Sequence, residues 1–227
     1  MTQTGVTENK FIMDGFFMIH RAIRKDATAF EQAAGNLSSP AQAAQLARWF
    51  QFFWSMVEIH HTGEDELVYP QLSARSSLFA AEEADLSAQH VKLHDYVDRL
   101  GQLLKQMEQA QDLSQKVELR YLAVEFNTFM NSHLQQEENV FVPEIARHFS
   151  VKEQQQIEKQ LQKKTPLKEV ALALPWIASG LDETERAKLL SELPWLFRFL
   201  YRVSWKKKYE QLVAVFQLPG AEMVASK

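Results

Sequence analysis

The chain has 227 residues, a formal net charge of −4, 46% hydrophobic and 24% charged residues, and no cysteine. This composition is ordinary for a soluble globular protein and argues against wholesale disorder, and mixed charges with a negative sum give no long-range attraction to nucleic acid. Without cysteine, the chain can form neither disulfides nor thiolate metal sites nor iron–sulfur ligation. Seven glycines and seven prolines leave few turn signals, which favours an all-α fold.

The sequence lacks targeting and membrane signals. Residues 1–10 are polar and do not show the basic segment followed by an apolar run that a secretory signal needs. No run approaches the roughly 18 apolar residues of a transmembrane helix. We therefore predict a cytoplasmic protein without a transmembrane segment.

The first two helices follow from apolar periodicity and capping residues. Apolar side chains recur at steps of three and four over residues 11–30, and His20 lies on the same stripe. Ser39 is a predicted N-cap with Pro40 at the first helical position. The second helix is predicted to run from there towards Pro70.

Polar residues interrupt the apolar stripes of the second and third helices. On the second, His60 and Glu64 fall on the stripe, whereas His61 projects about 100° away and is not counted as a candidate ligand. On the third, His90 and His94 share the predicted inner face at positions i and i+4. These interruptions predict a polar layer inside the fold.

A fourth helix repeats the pattern of the second, with His133 followed four residues later by Glu137. Positions i and i+4 lie on one helix face, about 6 Å apart along the axis, so each histidine–glutamate pair can aim at one point. A proline follows each glutamate by six residues, at Pro70 and Pro143. Each proline is predicted to kink or end its helix just beyond the polar cluster.

Four amphipathic helices with short connections predict an up-down-up-down four-helix bundle over residues 1–150. Ser150 and Glu153 form a capping-box pattern that begins a helical extension, residues 151–227, which is predicted to pack on the bundle. The extension contains an aromatic and basic run, residues 195–209. Its tryptophans are predicted to lie against the bundle, against a second copy of the chain or a partner, or in a membrane interface. Lys206 to Lys208 are interpreted as a solvated helix face, with contact to anionic lipid or a partner as the alternative.

The inward polar residues form a candidate metal site. Seven of them lie on the predicted stripes: His20, His60, Glu64, His90, His94, His133 and Glu137. One buried histidine is usually only hydrogen-bonded, but burying five imidazoles and two carboxylates together without a metal would cost several kcal/mol per uncompensated charge. Seven ligands exceed what one zinc takes and suit two octahedral iron or manganese ions. Tyr69, Tyr96 and Tyr121 lie near the stripes and are interpreted as core residues, with an approach to the metal ions as the alternative.

These residues resemble the hemerythrin-like (HHE cation-binding) domains over about residues 11–149. The resemblance implies two non-haem iron ions with an oxo or hydroxo bridge, histidines as terminal ligands and the two carboxylates as bridges. It also implies an open position for O2, peroxide or NO. The chain departs from the oxygen-carrying hemerythrins, which place an aspartate five residues after the histidine that corresponds to His133.

Three functional hypotheses remain open from the sequence. The first is a protein that binds O2 or senses O2, NO or iron; the second is an enzyme that dismutates peroxide or reduces NO. The third treats the metal as a structural staple and the extension as the functional part. Ligands determine which metal binds, whereas their surroundings determine its chemistry, so no catalytic residue is predicted.

Overall fold

A computed structural model describes residues 10–217, which are helical and contain no β-strand. The elements of the first part are α1 (Asp14–Asn36), α2 (Pro40–Gly63), a π-turn (Glu64–Val68), α3 (Tyr69–Ser73), α4 (Ser77–Ala110) and α5 (Lys116–His148). The π-turn and α3 continue α2, so the chain makes four long helical segments. The predicted all-α class is confirmed.

The four long segments form a bundle. Short loops join α1 to α2, α3 to α4 and α4 to α5, and such loops place consecutive helices side by side and antiparallel. In addition α1 packs on α5 and α2 packs on α4, which closes the ring of four. The predicted up-down-up-down arrangement is therefore present.

Capping residues set the helix starts as the sequence indicates. The Ser39 hydroxyl accepts a hydrogen bond from the Gln42 backbone N–H, and Pro40 occupies the first position of α2. Ser76 caps α4 in the same way. These bonds satisfy backbone donors that a helix start leaves without an intrahelical partner.

The two prolines act differently. Pro70 follows the π-turn by two residues and occupies the first turn of α3, a position that tolerates proline. In contrast, α5 contains Pro143 and does not end there, but continues to His148. The repeated sequence pattern thus leads to two local backbone structures.

The extension is a series of shorter helices. They are α6 (Val151–Lys164), α7 (Leu167–Ser179), α8 (Glu183–Glu192), α9 (Trp195–Leu200), a second π-turn (Tyr201–Trp205), α10 (Lys206–Val213) and a 3₁₀ turn (Ala214–Gln217). The capping box of Ser150 and Glu153 is formed. Within residues 10–217, no helix is long and apolar enough to cross a membrane.

The extension contacts the bundle through α6, α7, α10 and the 3₁₀ turn. The buried Trp176 donates its indole N–H to Asp26 Oδ2 on α1 at 2.9 Å. Gly180, just after α7, approaches α1 so closely that an added Cβ would lie 3.2 Å from the backbone nitrogen of Ala22. A side chain at this position would need the backbone of α1 to shift by a few tenths of an ångström, so the close packing favours glycine.

Asp26 makes the stability of this contact depend on pH. Its side chain is buried, and burial raises its pKa even though Lys25 Nζ lies 3.1 Å from Oδ1. A carboxyl group whose pKa is higher in the folded than in the unfolded protein contributes its full stabilisation of the fold below the unfolded-state pKa, about 4. This contribution is lost as pH rises through the pKa of the folded state. Asp26→Asn keeps an acceptor for Trp176 but does not titrate.

We therefore expect the free energy of unfolding of the native chain, relative to Asp26→Asn, to fall as pH rises above about 4. Urea unfolding of both proteins across this pH range measures the difference. Asp98→Asn, at an exposed position of α4, is the matched control and should show no such trend. A difference that stays constant with pH would contradict the expectation.

Two apolar clusters in the bundle leave a polar layer between them. The larger cluster includes Trp49, Phe53, Leu100, Leu104 and Phe126. The smaller cluster, at the other end, includes Val68, Leu72, Phe79, Phe141 and Ile145. The histidines and glutamates occupy the positions between these two clusters on α1, α2, α4 and α5. The polar layer therefore has hydrophobic side chains above and below it.

Candidate metal centre

The polar layer contains two groups of candidate ligands. His61, His90 and His133 form one group, and His20, His60, Glu64 and Glu137 form the other. Within each group the ligand atoms lie within 4.8 Å of one another. Six of the seven residues are buried, and the seventh, His60, has a side chain only 7% exposed.

The two glutamates connect the groups. Glu64 Oε1 lies 3.3 Å from His60 Nε2, and Glu64 Oε2 lies 4.0 Å from His90 Nε2. Glu137 has the same relation, with Oε2 at 3.4 Å from His20 Nε2 and Oε1 at 3.5 Å from His133 Nε2. Each carboxyl group therefore directs one oxygen to each histidine group, which is the arrangement that two bridging carboxylates require.

Several of these atoms lack hydrogen-bond partners among the described residues. They are both oxygens of Glu64, Oε2 of Glu137, Nε2 of His90 and His133, and both ring nitrogens of His61. A buried polar atom without a partner costs about 1–3 kcal/mol, so a cluster of them in a core needs a compensating group. A cation bound by these nitrogens and oxygens would compensate them, and the residues present fit such a group.

Two imidazoles are held from outside by charged residues. His20 Nδ1 lies 3.0 Å from Glu138 Oε1, and Arg24 binds both oxygens of Glu138, at 2.6 and 3.0 Å. His90 Nδ1 lies 2.8 Å from Asp65 Oδ2. A carboxylate on the outer nitrogen fixes the tautomer that leaves the inner nitrogen free to bind a metal.

The outer nitrogen of His133 is hydrogen-bonded to a neutral residue. Its Nδ1 lies 3.0 Å from the side-chain oxygen of Gln89, and the Gln89 amide donates in turn to Gln136 at 2.9 Å. The outer residues Asp65, Gln89 and Glu138 were not identified from the sequence. The available signal was their position, since Asp65 and Glu138 each directly follow a glutamate of the cluster.

Burial keeps most of the imidazoles in the cluster neutral. Burial lowers the pKa values of His60 and His61 well below the usual range, and it lowers that of His133 to about 4. Burial opposes charge on His90 as well, but the hydrogen bond to Asp65 and the nearby Glu137 carboxylate raise its pKa to about 9. Neutral imidazoles are the form that binds metals, so His90 must release a proton when a metal binds at neutral pH.

The carboxyl groups differ in their proton affinity. Burial and the neighbouring Glu137 raise the pKa of Glu64 well above its usual range. Burial also acts on Glu137, but His133, His90 and His20 outweigh it and hold the pKa of Glu137 well below the usual range. Without a metal, the negative charge of Glu137 is therefore balanced by protonated His90, and a bound cation would displace the protons of His90 and Glu64.

Tyr69 reaches this cluster, contrary to its interpretation as a simple core residue. Its buried hydroxyl donates to Glu137 Oε1 at 2.5 Å. In a regular α-helix, Tyr69 would lie about 140° around the axis from Glu64. The π-turn instead bonds the Tyr69 N–H to the Glu64 carbonyl and brings both side chains to one face. Tyr96 packs against the larger cluster, as interpreted, but Tyr121 is 66% exposed, so its interpretation as a core residue was wrong.

The structure brings His61 into the polar layer and places His94 outside it. Six predicted residues meet in the layer, but His94 is exposed and packs its ring edge against Trp54 at 4.8 Å between centroids. One turn beyond His90, the buried position of α4 belongs to Leu93 and not to His94. The prediction of an inward His94 is corrected accordingly.

His61 lies in the polar layer in place of His94, although the sequence analysis did not count it as a candidate ligand. Its ring stacks on that of His90, 4.0 Å between centroids with an 11° interplanar angle. Because α2 packs between α1 and α4, two consecutive residues can face different neighbours. His60 Nε2 lies 3.0 Å from His20 on α1, and His61 faces α4. The composition of five histidines and two glutamates is unchanged.

The fold and the site together define a four-helix-bundle protein with a buried cluster of histidines and glutamates that could hold a cation. The hemerythrin HHE cation-binding domain model matches residues 13–145, and the chain belongs to this family. The resemblance seen in the sequence is thereby confirmed.

One similar protein is the zinc finger protein BRUTUS of Arabidopsis thaliana, 22% identical over 207 residues. The match covers 77% of this chain but 16% of BRUTUS, so the chain corresponds to a small part of that protein. No solved structure matches the chain.

Proposed function

We propose that the centre holds two non-haem iron ions and that the protein binds O2, or senses O2, NO or iron, through them. The observation that carries this proposal is the pair of histidine groups joined by Glu64 and Glu137. When bound, two irons would supply a redox-active position for a small ligand.

The ligand chemistry supports iron over the common alternatives. Seven donors exceed the four ligands of a zinc site, and a mixture of imidazole and carboxylate is softer than the all-oxygen shells of calcium or magnesium. His20, His60, His61, His90 and His133 would be terminal ligands, and the two glutamates would bridge.

The surrounding residues restrict what can enter the site. Phe16 packs its ring 3.9 Å from that of His20, and Phe141 stacks on Phe16 at 5.0 Å between centroids. Tyr69 lies on the side of His90, with the two rings nearly parallel at 6.0 Å. Such an aromatic wall hinders the entry of large solutes, so we expect only small ligands such as O2, NO or peroxide to react there.

A di-iron enzyme of oxidative or nitrosative stress defence is the second candidate, and Tyr69 favours it. A buried phenol hydrogen-bonded to Glu137 places a transferable proton beside the candidate irons. Burial and the glutamates raise the pKa of Tyr69 well above its usual range, so the phenol keeps its proton near neutral pH. Such an enzyme would disproportionate peroxide to O2 and water, or reduce NO.

Metal analysis of the protein purified in air, followed by addition of excess peroxide with an oxygen electrode, tests both functions. About two irons per chain, reversible spectral changes with O2 or NO, and one stoichiometric reaction with peroxide would support the binding or sensing protein. Sustained O2 release that falls at least about tenfold in Tyr69→Phe would support the enzyme instead. Absence of iron after expression in iron-rich medium would refute both.

A further inference from the structure

The last helical segment, residues 195–213, has two faces of different character. Its inner face carries Tyr201, Trp205 and Tyr209 at four-residue spacing, and all three are buried. Tyr201 and Trp205 pack with Leu174 and Ala178 of α7, and Tyr209 joins the larger cluster of the bundle. These contacts hold the segment on the rest of the protein and fix which side it turns outward.

The outer face carries large apolar residues that remain exposed. Trp195, Phe199 and Val203 follow one another at four-residue spacing, with exposed fractions of 71%, 54% and 56%, and Leu196 is 45% exposed beside them. Single exposed apolar residues are ordinary, but a contiguous row that includes tryptophan and phenylalanine indicates a contact surface.

A row of cations runs beside this apolar row. Arg198, Arg202 and Lys206 have the same four-residue spacing, and the exposed Lys207 and Lys208 follow. No acidic residue occurs between Glu192 and Glu210. Arg198 donates to the Ser191 carbonyl at 3.1 Å, and Lys206 Nζ lies 3.6 Å from exposed Glu210; Arg202 and Lys207 are fully available at the surface.

We propose that this outer face binds the surface of an anionic lipid bilayer. The helix would lie in the plane of the interface, with Trp195, Phe199 and Val203 inserted among the acyl chains and the arginines and lysines at the headgroups. Aromatic and aliphatic residues on one strip, flanked by cations, are the features of a helix at a membrane interface. The local positive charge contrasts with the net charge of −4 of the whole chain, so attraction depends on this face.

The expected strength is moderate and depends on lipid charge. Each basic residue near an anionic surface contributes about a fivefold gain in binding, so the loss of two should weaken binding at least about twentyfold. A small apolar row alone gives only weak, reversible adsorption. Both elements are therefore needed.

Co-sedimentation of the full chain with vesicles tests the proposal. We expect binding to phosphatidylcholine vesicles that contain phosphatidylserine, much weaker binding to phosphatidylcholine alone, and release by high salt. Arg202→Glu/Lys207→Glu should weaken binding at least about twentyfold, and Phe199→Ser/Val203→Ser about tenfold. Lys105→Glu/Lys159→Glu makes the same charge change at exposed positions elsewhere and should bind as the native chain does.

Tryptophan fluorescence identifies the contacting residue. Vesicles should shift the emission to the blue, and Trp195→Phe should remove most of that shift because Trp195 is exposed. Equal loss of binding in the control and test variants would overturn the proposal. The proposal would also be overturned if the chain did not bind vesicles but instead self-associated or captured a protein, and if Phe199→Ser/Val203→Ser abolished that association.

Discussion

Replacing His61 by alanine is expected to lower the metal content of the protein sharply, whereas His94→Ala is expected to leave the metal content unchanged. His61 lies with His90 and His133 in one candidate ligand group, and His94 is exposed beside Trp54. Outer-sphere residues alone change metal affinity by about 10–100-fold, so the loss of a direct ligand should weaken it at least about a hundredfold. Metal analysis after dialysis against a weak chelator measures the difference.

The same two variants distinguish the ligand assigned by the structure from the ligand predicted by the sequence pattern. A pattern read only as two histidines at i and i+4 assigns the ligand to His94, and the bundle geometry assigns it to His61. Both variants remove one imidazole, so they are matched in chemistry and differ in burial. Loss of metal in His94→Ala together with full occupancy in His61→Ala would mean that α4 is rotated relative to the arrangement described above.

Removal of the metal is expected to lower the free energy of unfolding by several kcal/mol. The metal-free cluster leaves buried nitrogens and oxygens of His61, Glu64, His90, His133 and Glu137 without hydrogen-bond partners among the described residues. Each such atom costs about 1–3 kcal/mol, and a ligand that binds only the folded state adds its binding energy to stability. Denaturant unfolding of the loaded and chelated protein measures the effect.

A double variant provides the control for metal removal. Glu64→Gln/Glu137→Gln keeps the shape of both side chains but replaces the oxygen pairs that join the two histidine groups. Its unfolding should be insensitive to chelator, since it loses the bridging carboxylates. Identical unfolding curves for the loaded and chelated native protein would show that the bundle tolerates the empty cluster and would remove the energetic argument for a resident metal.

The main outline of the fold follows from local physics. Apolar residues at steps of three and four predict helices, Ser39 and Ser150 predict two of their starts, and short connections predict antiparallel neighbours. The candidate ligands were found by the same periodicity, because polar residues on an apolar stripe must point into the bundle. Six of seven predicted ligands meet in one layer for this reason.

Other features depend on contacts between segments that are distant in the chain. Tyr69 joins the cluster only because the π-turn changes the register of the helix after Glu64, and periodicity assumes a uniform helix. Asp65, two residues after α2, becomes a partner of His90 because α2 packs on α4, and Gln89 of α4 becomes a partner of His133 because α4 packs on α5. No pattern within one helix contains this information.

The sequence by itself determined the helical class, the bundle and the presence of two histidine–glutamate pairs, since each depends on spacing within a single helix. The tertiary structure alone decided between His61 and His94. Consecutive residues on a helix differ by about 100°, and an inward stripe at a bundle corner is about as wide. A residue at the edge of such a stripe turns inward or outward according to how its helix is rotated against both neighbours, and the packing of α2 between α1 and α4 settles that rotation.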